Sequence, residues 1–567
     1  MMNNQCNTYF SLSTLAKLTL AVLVAVPLTV PRIANSATLN IKRTNYGIPN
    51  GAYFVSPTGK PGNSGRSANS PWPVAKAIAS APSGATIVFR GGTYRNVQIA
   101  LNKRLTLQAY PNEQPWLKGS TVVDGWVQEG SIWRKDGWNF SFLPVEEGKA
   151  IDPKYPMAGH RDMVYINGVA LKQVGSKANV GPGTFFVDGR NNKLYIGTNP
   201  SGKTVEATTQ TEGIMAWNSA ASGSVIRGLG LAHYANQGLK IGASGITVEN
   251  STLAWNGLDG VAVLSSGAKL RGNTISYNGR RGVNGVRSHR LQLENNVISH
   301  NNTENFSKSW SAGGAKIIWT DGAVMRGNTV NNNKSIGLWI DESSTNSTVV
   351  NNVVHNNSSN GISMEISHNA IIASNVISGN APAGIIILNS SSARIYNNTL
   401  ARNQANLLVQ DTSRRNTKSN EISKGITWVT RNTIVKNNIF WNSSGTMFFA
   451  SGCPVKQASK LMIPVTNNNA YYRRSAGKPA NLIWGLNSNQ CSQTFSSLAS
   501  FRSATGLEAN SLDVVNSSDP FFVNANANDF RLKSGSPAIG RGEPLPADIA
   551  NAIGVAAGRK VNLGALR

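Results

Sequence analysis

Short apolar runs and polar turns alternate with a regular period between about residues 225 and 445. Each period holds a glycine, a β-prone run, a polar turn, a second run and an asparagine. Five of the seven successive asparagine spacings are 23 or 24 residues, which indicates an internal repeat of about 23 residues. The asparagines that mark it are Asn250, Asn273, Asn296, Asn328, Asn352, Asn375, Asn398 and Asn438.

This repeat predicts an all-β fold, a right-handed parallel β-helix. Runs of three to five residues are too short for a sandwich, but in a coil each run pairs with its counterpart one repeat away. Identical residues then stack in columns, and an asparagine amide can donate to one coil and accept from the next. Insertions are expected around residues 303–311 and 412–425, where the spacing lengthens to 32 and 40 residues.

The regions that flank the repeat predict caps and one insertion. Residues 71–81 have the apolar spacing of a short helix that can plug the first coil, and residues 185–196 predict a hairpin. Residues 519–522 through 564–567 are expected to close the far end. The predicted divisions are a signal peptide at 1–36, an N-terminal cap with first coils at 37–110, an inserted β-rich subdomain at 111–215, central coils at 216–445, and C-terminal coils with a cap at 446–567.

The first 36 residues predict secretion to the periplasm, the cell surface or the medium. Lys17 precedes an apolar stretch over residues 18–30, and small residues at 34–36 offer a cleavage site. No later run is long enough for a membrane span. The mature chain keeps Cys453 and Cys491, for which one disulfide and two free buried thiols are equal alternatives.

The charge balance favours a polyanionic partner. The chain has 54 basic and 27 acidic residues, a net charge of +27 and a pI of about 10.1, and loss of Lys17 and Arg32 with the signal leaves +25. There is no Lys/Arg-rich run or stacking pattern of the kind that nucleic-acid binders use. A polysaccharide or oligosaccharide, in particular an acidic one, is therefore expected rather than nucleic acid.

Two acidic residues are expected side by side on the outer wall of the solenoid. Alternate residues of a strand face opposite ways, so residues 337–341 and 361–365 place Asp341 and Glu365 outward in one column, on consecutive coils. The residues expected to fill the interior are Leu338, Ile340, Ile362, Met364, Ile385 and Ile387.

Such a pair suits glycoside hydrolysis. Parallel strands lie about 4.8 Å apart, close to the carboxyl separation of about 5–5.5 Å in retaining enzymes, although the longer Glu365 side chain leaves the inverting distance of about 6.5–9.5 Å open. Mutual repulsion should raise the proton affinity of one partner, and Glu365, between Met364 and Ile366, is the candidate acid. Two solvated surface acids are the structural alternative.

Three further residues are candidates for binding substrate. Lys316, one coil earlier, is expected outward in the column of Trp339, where its ammonium would keep Asp341 ionised or bind substrate. Trp339 would offer an apolar face to a sugar ring, and Trp310 on the inserted loop would wall the cleft. For Lys316 and Trp310 the alternatives are a surface lysine beside an acid and packing under a loop.

Other polar residues and motifs do not define a second site. His233, Asp259, Arg280, Arg281, Arg287 and His289 lie on preceding coils, where they either extend the groove or decorate the surface. No zinc-type Cys/His cluster, phosphate-binding loop, nucleophile elbow or EF-hand occurs. No metal site and no cofactor are therefore predicted, and calcium is left open.

The sequence resembles the secreted right-handed β-helix proteins of the pectate-lyase-like superfamily. Residues 53–59 and 90–94 carry the N-terminal signature of the fold. Residues 162–168, 182–186 and 205–208 resemble the inserted domain of β-xylosidase-type β-helix glycoside hydrolases, and the coils with Asp341 and Glu365 resemble coils of the same enzymes. By position, the resemblance implies Asp341 as nucleophile and Glu365 as general acid/base.

The sequence as a whole predicts a secreted carbohydrate-active enzyme, namely a retaining glycoside hydrolase. One alternative is a polysaccharide lyase or uronate epimerase with Lys316 as base, which the positive charge favours. Another is a non-catalytic glycan-binding solenoid.

Overall fold

The computed structural model describes residues 39–145, 148–476 and 480–566, and within them the repeat winds into a parallel β-helix. The predicted signal peptide lies outside these residues. Each coil contributes one strand to each of three long sheets, and register partners in the regular coils lie 22 to 24 residues apart. Because the repeat carries one residue onto its counterpart in the next coil, side chains of one type stack along the axis.

The first sheet has thirteen strands in parallel register. Its strands are Tyr53–Val55, Thr86–Phe89, Thr106–Ala109, Val225–Arg227, Thr247–Glu249, Lys269–Arg271, Gln292–Glu294, Val324–Arg326, Thr345–Val350, His368–Ala373, Ser391–Tyr396, Ile434–Lys436 and Val465–Asn467.

The second sheet follows the first along each coil and also has thirteen parallel strands. Its strands are Gly92–Arg95, Pro115–Lys118, Gly230–Ala232, Thr252–Ala254, Thr274–Ser276, Val297–Ser299, Thr329–Asn331, Val353–His355, Val376–Ser378, Thr399–Ala401, Ile439–Trp441, Ala470–Arg473 and Leu512–Val515.

The third sheet completes each coil and carries the predicted acidic pair. Its strands are parallel except the last, which pairs antiparallel. They are Ile99–Ala100, Glu212–Ala216, Gln237–Ile241, Asp259–Val263, Arg281–Val286, Gly313–Ile318, Ile336–Asp341, Ile362–Glu365, Ala383–Leu388, Ala405–Gln410, Thr446–Ser451, Ala480–Trp484 and Gln493–Phe495.

An inserted subdomain of two small sheets interrupts the coils after the strand Pro115–Lys118. The chain returns to the third sheet at Glu212, so both ends of the segment predicted at 111–215 belong to coil strands. The predicted hairpin is present as Thr184–Asp188 and Lys193–Ile196. The subdomain strands are Ser120–Val122, Val127–Glu129, Ile132–Asp136, Val164–Ile166, Val169–Ala170, Lys172–Gln173, Thr184–Asp188, Lys193–Ile196 and Val205–Thr208.

Apolar side chains fill the interior, and the predicted positions are confirmed. The six interior residues named above are at most 1% exposed and belong to one continuous core cluster. Burial of this cluster stabilises the solenoid, since each fully buried aliphatic side chain contributes roughly 1.5–3 kcal/mol.

Asparagines form a ladder of hydrogen bonds between coils, as the repeat predicts. The Nδ2 of Asn352 donates to Asn375 Oδ1 at 2.9 Å and to the Met325 carbonyl at 2.9 Å, and the same pattern recurs from Asn273 to Asn469. Asn250 is not part of it: its place is taken by Ser251, whose backbone N–H donates to Asn273, whereas Asn250 bonds the Tyr46 hydroxyl.

A second asparagine ladder lies at the turn between the second and third sheets. It was not recognised in the sequence because its members lie in the polar turns, where asparagine is common. Its members are Asn256, Asn278, Asn301, Asn333, Asn357, Asn380 and Asn403.

Helices close both ends, and the far end differs from the prediction. The predicted N-terminal helix is Val74–Ser80, with Val74 and Ala77 in the core cluster. At the far end the helix Leu498–Thr505 closes the interior, with Phe501 packed on Trp484 and Phe495.

The segment after residue 518 was expected to close the far end, but it packs outside the solenoid. Phe521 and Phe522 cover Trp441 and Tyr472 on the second sheet, and the helix Ala547–Ile553 covers the first sheet. The prediction was wrong because apolar outward residues on these two sheets need cover.

The remaining helices and turns are Ser419–Ile422, Ser459–Met462, Gly148–Ala150, Pro156–Gly159, Lys177–Asn179, Ser219–Ala221, Cys453–Val455 and Ala525–Ala527, and Phe522–Asn524 pairs with Asp529–Leu532.

Cys453 and Cys491 are bonded in a disulfide, which decides between the two alternatives that the sequence left open. The bond links two segments that follow third-sheet strands near the C-terminal end. Among the described residues no helix is long and apolar enough to cross a membrane.

Candidate active site

The third sheet places the predicted acids in one outward column. Ile340 pairs with Met364, and one residue further along lie Asp341 and Glu365. Lys316 pairs with Trp339 in the adjacent outward column, as the sequence predicts. Because the strands are in register, the winding of the solenoid alone brings residues from three successive coils together.

Two donors contact the Asp341 carboxylate. Lys316 Nζ lies 2.8 Å from Oδ2, and the backbone N–H of Glu342 donates to Oδ1 at 2.7 Å. Glu342 adopts a left-handed conformation with φ of 36°, which turns its N–H back onto the preceding carboxylate. Charge-assisted hydrogen bonds of this kind stabilise the ionised carboxylate and fix its orientation.

Glu365 lies in a different electrostatic environment. Its side chain is 18% exposed, and burial together with the negative charge of Asp341 raises its pKa above the usual range of glutamate. Arg414 and Lys316 act in the opposite direction, and Arg414 Nη2 lies 2.6 Å from Glu365 Oε1. The two carboxyl groups therefore lie in different environments: Asp341 is bound by a cation and a backbone N–H, whereas the pKa of Glu365 is raised.

Arg414 comes from the insertion at residues 411–433, which lies beside the acids. Asp411 ties the two ends of this loop together, since it accepts hydrogen bonds from the backbone N–H groups of Ser413 at 2.9 Å and Thr430 at 3.0 Å. Glu421 in the loop helix accepts from the hydroxyl of Ser343, just after Asp341. The sequence located this insertion but gave no sign of the ion pair.

Trp310 lies on the other insertion, next to Lys316. It is 46% exposed, and its carbonyl accepts from Lys316 Nζ at 2.5 Å. The ammonium of Lys149, from the inserted subdomain, lies 5.5 Å from the centre of its ring. Ser307 in the same loop donates to the Ala150 carbonyl at 2.8 Å, so the subdomain supports this flank.

Trp339 does not present the open sugar platform that the sequence predicts. It faces outward, but it is 2% exposed and the ammonium of Lys316 lies 3.6 Å from the centre of its ring. The expectation was wrong because the lysine of the neighbouring coil stacks on the indole in a cation–π contact. Trp339 thereby positions Lys316 for its bond with Asp341.

Four residues on preceding coils are buried and are not surface decoration. His233 stacks on Tyr165 with ring centres 3.7 Å apart and shares a hydrogen bond with Ser120. Asp259 is fully buried between Arg281, at 2.9 Å, and Arg280, at 3.5 Å. A buried carboxylate needs such partners, so this cluster anchors the start of the third-sheet strands.

The remaining two residues lie at the turn after the third sheet. The Arg287 guanidinium lies 4.5 Å from the centre of the Trp319 ring, and His289 Nδ1 accepts from the backbone N–H of Asp321 at 3.0 Å. Neither contacts the acidic pair in a described interaction. In the described parts of the chain, no group of three or more His, Cys, Asp or Glu residues is placed to hold a metal ion.

Comparison with known proteins agrees with this architecture. A family model described as a right-handed beta helix region matches residues 212–308 and 237–400. No curated protein sequence matches the chain. Among solved structures the chain is similar to XylC in complex with xylose, at 15% identity over 91% of this chain and 98% of that one, with a TM-score of 0.64.

Two further structures have weaker similarity. Pectate lyase Pel9A has 12% identity over 91% of this chain and 96% of that one, with a TM-score of 0.46. The A-module of the Azotobacter vinelandii mannuronan C-5 epimerase AlgE4 has 14% identity over 70% and 87%, with a TM-score of 0.41. The fold and the family match together define this chain as a right-handed parallel β-helix protein.

Proposed function

We propose that this protein is a carbohydrate-active enzyme, a retaining glycoside hydrolase that acts on a polysaccharide or oligosaccharide. The observation that supports this most is the difference between the two neighbouring carboxyl groups. Asp341 accepts from Lys316 and from a backbone N–H, whereas burial and the charge of Asp341 raise the pKa of Glu365. Retaining glycosidases need a charged nucleophile beside a protonated acid.

The proposed reaction has two steps. Glu365 donates its proton to the glycosidic oxygen while Asp341 Oδ attacks the anomeric carbon, so that the bond to the leaving group breaks and a glycosyl ester forms on Asp341. The ionised Glu365 then removes a proton from water, whose oxygen attacks the same carbon and releases Asp341. Two inversions at one carbon leave its configuration unchanged.

Lys316 acts in this scheme as a positioning residue. Its ammonium contacts the Asp341 carboxylate and the Trp310 carbonyl, which both accept hydrogen bonds, and it also lies over the face of the Trp339 ring. These contacts suit a donor of hydrogen bonds rather than a base. They favour hydrolysis over the lyase or epimerase alternative, in which Lys316 would remove a proton from the sugar.

An extracytoplasmic location is part of the proposal. The disulfide between Cys453 and Cys491 supports it, since such bonds persist in oxidising compartments. The net charge of +25 that would remain after loss of the signal peptide would draw the protein to acidic glycans or to an anionic envelope.

The test is a substrate screen combined with matched variants. Xylan, xylo-oligosaccharides, pectate, alginate and aryl glycosides are incubated with the wild type, Asp341→Asn and Glu365→Gln, and products are followed by reducing-end release and by proton NMR. We expect hydrolysis with retained configuration, and a loss of roughly 10²–10⁴-fold in each variant. Glu294→Gln is the control, because Glu294 is an outward acid of the first sheet paired with Arg271.

Chemical rescue separates the two roles. Azide should restore turnover to Glu365→Ala with a retained glycosyl azide, and to Asp341→Gly with an inverted one. Products with a new C=C bond absorbing in the ultraviolet would favour a lyase, and glycan binding without turnover in the wild type would favour a binding solenoid. Full activity of both Asp341→Asn and Glu365→Gln would refute the assignment.

A further inference from the structure

The outward column that holds the acids continues along the third sheet to an exposed tryptophan. Trp217 directly follows the strand Glu212–Ala216, whose Ala216 pairs with Ile241 of the next coil. The register continues through the next strands to Ile318, which pairs with Asp341. The positions of this column between Trp217 and Asp341 are Gly242, Leu264, Val286 and Ile318.

Trp217 has an open ring that rests on a glycine. It is 58% exposed, and a Cβ added at Gly242 would come within 2.6 Å of its Cε3 atom, so one edge or face of the indole occupies the space that a side chain would fill. Lys240 places its ammonium 5.1 Å from the ring centre. Exposure of so large an aromatic surface costs free energy, which a bound apolar surface would recover.

The floor between Trp217 and the acids is apolar. Leu264, Val286 and Ile318 are half-buried, and Gly242 adds no side chain. At the opposite end of these strands, along the turns that enter the third sheet, the inserted subdomain contacts the coils, for example through the Tyr165 hydroxyl, which donates to the Trp255 carbonyl at 3.1 Å. The column therefore forms an extended apolar face that ends beside the acids.

We propose that this face binds a linear polysaccharide chain, with Trp217 as a distal stacking subsite on the Asp341 side of the cleaved bond. Five strand steps separate Trp217 from Asp341, which is about 24 Å, so the ligand must be a chain of several sugar units. The indole would stack on the apolar face of a sugar ring, and Lys240 would donate to its hydroxyl or carboxylate groups. The assignment of Trp217 to the Asp341 side of the cleaved bond rests on the proposed function, in which Asp341 attacks the anomeric carbon. The ligand class inferred here is an extended chain rather than a single terminal sugar.

The experiment measures binding, so it does not need turnover. Asp341→Asn protein is titrated by calorimetry with xylose oligomers and with galacturonate oligomers of two to seven units, with and without Trp217→Ala. We expect affinity to rise with length in the parent for one of the two series, and Trp217→Ala to weaken the longest chain about tenfold while the dimer changes far less. Trp217→Phe should restore most of the loss.

Two variants make the result specific. Gly242→Val should displace the Trp217 ring and reproduce the loss of affinity for the longest chain while the indole is still present. Phe140 is an exposed aromatic residue of the inserted subdomain, and Phe140→Ala should leave the dependence of affinity on chain length intact. Equal affinity for long chains with and without Trp217, no dependence on length, or no binding of either series would overturn the inference. Because binding is measured in a variant lacking the nucleophile, these outcomes are independent of whether the protein is a hydrolase.

Discussion

Arg414 Nη2 lies 2.6 Å from Glu365 Oε1, although 49 residues separate the two in sequence. The contact sets the guanidinium of an insertion loop against the carboxyl group proposed as the acid. The charge of Arg414 favours the ionised form of Glu365, while burial and Asp341 favour the protonated form and prevail. The loop therefore tunes the group on which protonation of the leaving group would depend.

Removal of this cation should move the pH profile upward. In Arg414→Leu the two influences that raise the pKa of Glu365 remain and the largest opposing one is lost. Glu365 then keeps its proton to higher pH, so the basic limb of kcat/KM should shift to higher pH, as measured by initial rates from pH 4 to 9. Lys424→Leu, on the same loop but exposed, is the control. Equal shifts in both variants would mean that general charge, and not the ion pair, is responsible.

Lys316 should be replaceable by arginine more readily than by methionine. Lys316→Met removes the donor to Asp341 and uncovers Trp339, so we expect kcat to fall roughly 10–100-fold and the tryptophan fluorescence to change. Lys316→Arg keeps a cation beside Asp341 and should retain most activity. If the arginine variant is as inactive as the methionine variant, with an unchanged fluorescence spectrum in both, Lys316 acts as a base and the lyase alternative gains support.

A single ladder asparagine should be costly to replace. In Asn352→Ala the groups that bond its amide, on Asn328, Asn375 and Met325, lose a buried partner. At about 1–3 kcal/mol for each unsatisfied buried group, we expect a decrease of about 3 kcal/mol in the free energy of unfolding by urea. Asn526→Ala, at an exposed turn, should change it by less than about 0.5 kcal/mol. Equal effects would mean that the ladder contributes little stability.

The disulfide should stabilise the protein without affecting catalysis. It closes a 38-residue separation, for which chain entropy gives about 4 kcal/mol. The double variant Cys453→Ser/Cys491→Ser should therefore unfold at lower urea concentration, and the wild type in reductant should match it. Activity at 25 °C should be unchanged, since Cys453 follows a strand three coils beyond that of Glu365. A loss of activity in the folded variant would contradict this.

The sequence repeat was sufficient to predict much of the architecture and the relative positions of some candidate site residues. In a solenoid with in-register coils, separation by one period in sequence means adjacency in space, so Asp341 and Glu365 could be placed in one column and Lys316 beside Trp339. The same rule located both insertions by the lengthened spacing. Asn250 was misplaced because the period tolerates a shift of one residue at a polar turn, where neighbouring positions look alike.

The sequence by itself determined which residues face inward, which face outward, and which coils are neighbours, because these follow from strand alternation and a constant period. The tertiary structure alone decided what lies against the outward residues. Arg414 meets Glu365 through a loop with no period, Lys316 covers Trp339 through a side-chain rotamer, and the C-terminal segment packs outside the coils to cover apolar residues. Such contacts depend on packing between segments distant in sequence, for which the repeat carries no information.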